Sequence, residues 1–178
     1  MKKISISTIT LLGLTVLLMG CGPRDNVLKK LADEGIVNQK AIRVTSASIE
    51  IEATNQYVWE ILTNTPNWPN WNPATPEIRT TEAMYKGNNF AWKWGKKVYT
   101  AVHYFEAPQK LAWFSKSMAY RSIMVWEFEP LTDHSTRVTV TESRDGFSMY
   151  FVSAKKHKAL LEAWLGHLKN RSEVVQFH

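Results

Sequence analysis

The chain has 178 residues, 22 basic against 16 acidic side chains for a formal charge of +6, and a single cysteine. That length suits one compact domain with a real core and is short for two, and one thiol excludes an internal disulfide, so packing alone must hold the fold. The positive balance is spread without a block of consecutive like charges, which argues against a nucleic-acid partner and fits a neighbouring anionic lipid surface.

Lys2 and Lys3 precede an apolar stretch over residues 4–19, which closes on Leu18-Met19-Gly20-Cys21. A charged tip, a short apolar core and small residues before a cut make an export signal, too short and wrongly flanked for a permanent membrane span. The run resembles the lipobox of bacterial lipoproteins, in which the cysteine thiol is diacylated, the signal is removed before it and the new amino terminus is usually acylated. An ordinary secretory signal with an incidental cysteine is the alternative. The resemblance implies that residues 1–20 are absent from the mature protein and that Cys21 carries lipid, palmitate included. The mature chain then has 158 residues, 20 basic and 16 acidic side chains and a formal charge of +4. Several acyl chains on one cysteine anchor a soluble domain stably, where one chain holds it only marginally. Gly22, standing where an aspartate commonly retains Gram-negative lipoproteins at the inner membrane, favours the periplasmic side of an outer membrane.

Residues 22–43 are polar, with Leu28 and Leu31 a weak apolar pair, and read as a tether with one helical turn. Residues 44–53 alternate as a strand, and Thr54 or Asn55 caps a helix through Leu62. Prolines at 66, 69, 73 and 76 break any long helix, so 66–73 is a Trp-anchored turn or a short second helix. Strand-like runs follow at 78–83, 90–94, 97–106, 110–117, 122–129 and 136–143, separated by turn chemistry such as Lys86-Gly87-Asn88-Asn89, which predicts an antiparallel meander. Over 147–169 the apolar period changes to three and four, through Phe147, Tyr150, Phe151, Ala154, Leu161, Trp164, Leu165 and Leu168, the pattern of a long amphipathic helix.

A strongly twisted sheet wrapped around the final helix satisfies this order. The segments Ile49-Glu50-Ile51-Glu52-Ala53, Val58-Trp59-Glu60-Ile61-Leu62-Thr63-Asn64 and Trp68-Pro69-Asn70-Trp71-Asn72-Pro73 resemble the opening of the START-like, helix-grip superfamily. More narrowly they are similar to the polyketide cyclase/dehydrase and lipid transport family, also called SRPBCC. Ala107-Pro108-Gln109-Lys110-Leu111-Ala112-Trp113, Trp126-Glu127-Phe128-Glu129-Pro130 and residues 136–143 agree with it. The resemblance spans about residues 42–172 and implies an α+β fold, a curved antiparallel sheet around a long C-terminal helix, with two short helices after the first strand. It divides the chain into a signal at 1–20, a lipidated tether at 21–41 and a ligand-binding domain at 42–175. It also implies an internal cavity for a mostly apolar ligand, although fold does not fix function.

Strand parity puts Phe90, Trp92 and Trp94 on one face. For the next strand the choice lies between Tyr99, Ala101, His103, Phe105 and Val98, Thr100, Val102, Tyr104; analogy with the plant hormone-receptor branch favours the first set inward. Tyr120, Ser122, Met124, Trp126 and Phe128 share a face, as do Val138, Val140 and Glu142, and Phe151 adds a ring from the last helix. Many flat rings and a few polar groups suit a ligand pocket, or else a filled core. Glu142 projects toward apolar walls as a ligand-orienting or proton-transfer group, or else is solvent-exposed at a strand end or paired with Arg79, Lys97 or Arg144. His157 and His167 are expected on the outer side or rim of the last helix. No nucleophile elbow, metal-ligand cluster or phosphate loop occurs, so neither cofactor nor metal is expected. Three readings stay open: a lipid-anchored monomer binding a hydrophobic or amphipathic small molecule, an enzyme using Glu142, His103 and Tyr120 on an aromatic ligand, and a structural envelope lipoprotein with a cavity collapsed around Trp92, Trp94 and Trp126.

Overall fold

Alternating apolar residues and well-placed turns build a seven-stranded antiparallel sheet in the order β1-β7-β6-β5-β4-β3-β2. The structure is a computed structural model that describes residues 25–94 and 96–174, with the side chains of 93, 94 and 96 left aside. The signal expected at residues 1–20, Cys21 and the ring of Trp94 therefore lie outside the described residues. The strands are β1 (Arg43–Ile51), β2 (Glu77–Arg79), β3 (Asn89–Trp94), β4 (Lys96–Glu106), β5 (Lys110–Lys116), β6 (Arg121–Thr132) and β7 (Ser135–Asp145). Strands β2 to β7 form the expected meander, and β1 closes onto β7 through nine paired positions from Arg43↔Arg144 to Ile51↔Thr136.

Among the described residues the sheet is joined by three α-helices, α1 (Asp25–Asp33), α2 (Asn55–Thr63) and α3 (Ala154–Val174). Thr54 caps α2 by accepting the Tyr57 backbone N–H, and the proline segment forms a 3-10 turn over Thr65–Asn70. Trp68 in that turn is fully buried and donates its indole N–H to the Leu62 carbonyl at 2.8 Å, so the turn is anchored as its tryptophan suggests. The final helix begins at Ala154 rather than Phe147; Phe147–Phe151 is a separate 3-10 turn. Here the three-and-four spacing continued through residues whose rings point to solvent.

The sheet has two apolar faces. Its concave face meets α2 and α3 through Ile51, Val58, Trp59, Leu62, Trp113, Trp126, Val138, Val140, Leu161, Trp164, Leu165 and Leu168. Its convex face carries Ala112, Phe114, Ile123 and Val125, which would be exposed without a cover. The segment read as a tether supplies that cover: Leu28, Ala32 and Val37 pack on them, with Leu31 and Tyr104 at the margin. Helix α1 ends in a Schellman motif, Gly35 N–H to the Ala32 carbonyl and Ile36 N–H to the Leu31 carbonyl, both at 3.0 Å. Gly35 takes φ 68°, and an added Cβ would stand 3.1 Å from the Tyr104 ring. Polar clamps fix both ends. Asp25 bonds Lys116 and Arg121, Asp33 bonds His103 at 2.8 Å, and Asn38 donates to Asp145 at 3.0 Å.

Candidate functional site

The grip is filled at its centre. Trp68, Trp92, Trp113, Trp126 and Trp164, arriving from the proline turn, three strands and α3, are all at most 5% exposed. Trp68 meets Trp164 at 4.9 Å and Trp92 at 6.2 Å, and Trp126 lies 5.8 Å from both Trp113 and Trp164. Most of these contacts are edge-to-face or tilted, as the quadrupoles of aromatic rings prefer. A hydrogen-bonded chain runs beside them from the Trp92 indole N–H to Thr100 Oγ1 at 2.9 Å and on to Ser115 Oγ at 2.8 Å. Trp126 Nε1 is buried without a partner. The rings named as ligand contacts at Phe90, Trp92, Trp126 and Phe128 thus do face inward, and there they pack on one another.

The β4 assignment is corrected. Phe90 pairs with Thr100 and Trp92 with Val98, and directly paired residues share a face, so Val98, Thr100 and Val102 point inward. Tyr99 is 57% exposed on the convex side, beside a shallow hollow of about 400 Å³ that Lys29, Ala101, Phe114 and Lys116 also line. A bulge between Val102 and Tyr104 then inverts the phase, which brings Phe105 back to the core and onto Trp59 at 4.9 Å. His103 stays on the convex side with Asp33. Phe151 is also corrected, since it is 74% exposed.

Where the tryptophans end, α3 and the sheet leave a recess of about 220 Å³, lined by Val98, Ser117, Ala119, Tyr120, Arg144, Ser148, Met149, Val152 and Leu160. Its position follows from Gly146. At φ 132° this residue lets the end of β7 press on the β5–β6 hairpin so closely that an added Cβ would stand 2.5 Å from the Ala119 carbonyl. Ser148 Oγ donates to that carbonyl at 3.1 Å, and Ser117 Oγ accepts from the backbone N–H groups of Ala119 and Tyr120. The hydroxyls are thus engaged locally, and the space between them is mainly apolar.

Behind the recess lies a buried polar cluster. Arg144 forks onto Glu142, with Nη2 at 2.7 and 2.8 Å from the two carboxylate oxygens and Nε at 3.0 Å. His157 Nε2 completes the carboxylate at 2.6 Å, and its Nδ1 lies 2.9 Å from Thr45 Oγ1. His157 is fully buried, not at the rim of α3; a polar residue on the inner side of a helix is invisible until its partner across the sheet is known. Burial pulls the Glu142 carboxyl up, but the Arg144 charge and the His157 bond outweigh it, leaving the group below its ordinary value. The Arg144 guanidinium also stands 4.4 Å over the Tyr120 ring. Burial pushes the Tyr120 phenol up to about 12, against the Arg144 charge, with Glu142 adding to the rise. Ser122, 3% exposed and paired with Arg144 across β6 and β7, adjoins the cluster.

This arrangement separates the three residues named for catalysis. Glu142 and Tyr120 flank Arg144 inside the grip, and His103 lies on the opposite face of the sheet. Sequence reasoning missed His157 and Arg144 as the partners that satisfy Glu142 together, though Arg144 stood among the candidates. Among the described residues no group of three histidine, cysteine, aspartate or glutamate side chains is placed to hold a metal, and no helix is long and apolar enough to cross a membrane.

Comparison with known proteins gives a consistent picture. The sequence model of the family described as polyketide cyclase / dehydrase and lipid transport matches residues 43–173. A search of curated proteins finds no match. Among solved structures, a hypothetical protein from Helicobacter pylori is similar at 19% identity and a TM-score of 0.68, over 76% of this chain and 90% of that one. A START superfamily protein from Mycobacterium smegmatis is similar at 18% identity and 0.64, over 74% and 98%. A norcoclaurine synthase point mutant from Thalictrum flavum, in complex with a transition-state analogue, is similar at 8% identity and 0.61, over 75% and 96%. At these identities the likeness is one of fold.

Proposed function

The chain belongs to the polyketide cyclase / dehydrase and lipid transport family, and from that premise we propose that it is a lipid-anchored envelope protein that holds an amphipathic small molecule. Its Cys21 carries the anchor, and its ligand rests in the recess between α3 and the β5–β6 hairpin rather than deep in the grip. The observation that carries this reading is the recess itself, about 220 Å³ of mainly apolar space beside a core that tryptophans otherwise fill. A recess below the usual pocket range takes a short hydrocarbon segment or one small ring, with the polar end left at the rim. Arg144, held by Glu142 behind it, gives the recess one fixed polar group.

Native mass spectrometry of the chain from residue 22 onward, produced in its own host without the acylated cysteine and purified without detergent, followed by denaturation and identification of released molecules, tests the reading. A stoichiometric hydrophobic adduct that is lost in Leu160→Trp, a substitution that fills the recess, supports it. A clean apo mass, or an adduct indifferent to Leu160→Trp, contradicts it.

A second reading rests on the tryptophan cluster: an accessory envelope domain whose grip is solid and binds nothing. Under it, wild type and Leu160→Trp both run as apo protein and are equally active in any envelope phenotype.

A further inference from the structure

Four large apolar side chains at one end of the molecule lack a cover. Met118 is fully exposed, and Phe147, Tyr150 and Phe151 are 73 to 74% exposed. They form one group, because the Ser148 N–H and hydroxyl both reach the Ala119 carbonyl, which joins the hairpin of Met118 to the turn of the three rings. Phe147 lies 5.1 Å from Phe151 and 6.5 Å from Tyr150. The group stands at the rim of the recess, whose lining includes Ser117, Ala119, Ser148 and Val152. Clustered exposed apolar side chains on a folded domain mark an interaction surface.

Within the two segments that carry the group the charge is basic, with Arg121 paired to Asp25 from α1. Residues 117–121 and 146–158 contain Arg121, Lys155, Lys156 and Lys158 and no acidic side chain. Lys155 and Lys156 are exposed on the first turn of α3. The chain's start points to the same end: Asp25 is bonded to Lys116 and Arg121, the strand residues on either side of the Met118 hairpin. Cys21 precedes Asp25 by four residues, and four extended residues span at most about 14 Å.

We propose that the end bearing Met118, Phe147, Tyr150 and Phe151 is a membrane-contacting face, which seats its rings in the headgroup region of an anionic bilayer and opens the recess onto it. Aromatic rings favour that zone, and flanking lysines attract its acidic headgroups. The inference rests on the anchored reading above and adds an orientation to it: the anchor holds the domain at the bilayer, and the rings set which end faces it.

The test uses the mature protein reconstituted into vesicles of phosphatidylcholine and phosphatidylglycerol. With Cys21 acylated, an introduced cysteine is the one free thiol, and Ala154→Cys carries a polarity-sensitive dye beside the rings. Asp133→Cys carries it at the β6–β7 turn, the far end of β6. Nitroxide lipids should quench the dye at 154 several-fold more than at 133. Replacing Phe147, Tyr150 and Phe151 together by serine should bring 154 down to the level of 133 with thermal unfolding unchanged. Lys155→Gln with Lys156→Gln should weaken quenching in the anionic vesicles and leave it unchanged in phosphatidylcholine alone. Equal quenching at the two sites, indifference to the serine variant, or vesicle-independent disulfide pairing of two Ala154→Cys copies overturns the proposal, the last in favour of a second copy as occupant. If the intact mass shows an unmodified Cys21, anchoring falls on its own. Cosedimentation of the unanchored chain with the same vesicles then decides the face: loss of binding with the serine variant sustains it, and no binding overturns it. A protein that seats its rings yet yields no bound molecule keeps this face and loses the ligand.

Discussion

Trp68 and Trp164 meet edge to face with ring centroids 4.9 Å apart, and this contact closes the space that a curved sheet leaves around its central helix. Trp68 comes from the proline turn and Trp164 from α3, so the pair joins two elements far apart in sequence. Replacing Trp164 by alanine should cost about 3–5 kcal/mol, the range for buried aromatic truncations. Urea unfolding measures this. The same variant should gain affinity for small apolar probes, because it restores the cavity that the ring occupies.

Glu142 is buried between two partners, so removing its charge takes the carboxylate from a buried Arg144 and a buried His157. Glu142→Gln should cost about 3–5 kcal/mol. Its folded value lies below the ordinary one, so the cluster stabilises the protein fully above the unfolded carboxyl value and loses that contribution as pH falls through the folded value. Unfolding free energies of wild type and variant should therefore converge on acidification. A constant gap across the acid range would contradict the pairing.

Asp25 behaves alike on a smaller scale. The Lys116 hydrogen bond holds its carboxyl below the usual range, burial opposes this, and the Arg121 bond adds to it. Acidification below about pH 4 should loosen the start of α1, and Asp25→Asn should do so at neutral pH. With partners that are half-exposed, the effect should stay under about 1 kcal/mol. Leu28→Ala, which empties the convex face instead, should cost about 2–5 kcal/mol. Hydrogen exchange of α1 amides distinguishes the two.

Gly146→Ala should destabilise the recess end by about 1–3 kcal/mol, since φ 132° and the 2.5 Å approach to the Ala119 carbonyl both resist a side chain. Thermal unfolding of the variant, with Gly87→Ala as a strained but unobstructed comparison, separates the clash from the dihedral cost.

The strand order was legible because turn residues punctuate each run and the final helix changes the period. The face of β4 was not, because parity across a hairpin depends on whether its loop holds an odd or an even number of residues. The register Trp92↔Val98 settles it, and the bulge after Val102 lets both parities reach the core in one strand. The role of α1 did leave a signal: Ala112 to Phe114 and Ile123 to Trp126 are apolar without alternation, so both faces of β5 and β6 need covering, and Leu28, Leu31 and Ala32 are spaced to cover one. At the site, the inward rings were readable from alternation. Whether they line space or fill it depends on the angles at which rings from separate elements meet.

The most direct measurement is an NMR titration of the folded protein with a short-chain lysophospholipid below its micelle concentration. Perturbations should concentrate at Val98, Tyr120, Ser148 and Leu160, with the indole signals of Trp68 and Trp113 unmoved. Shifts centred on those indoles, or none at the recess, would contradict a ligand held at the mouth of a filled grip.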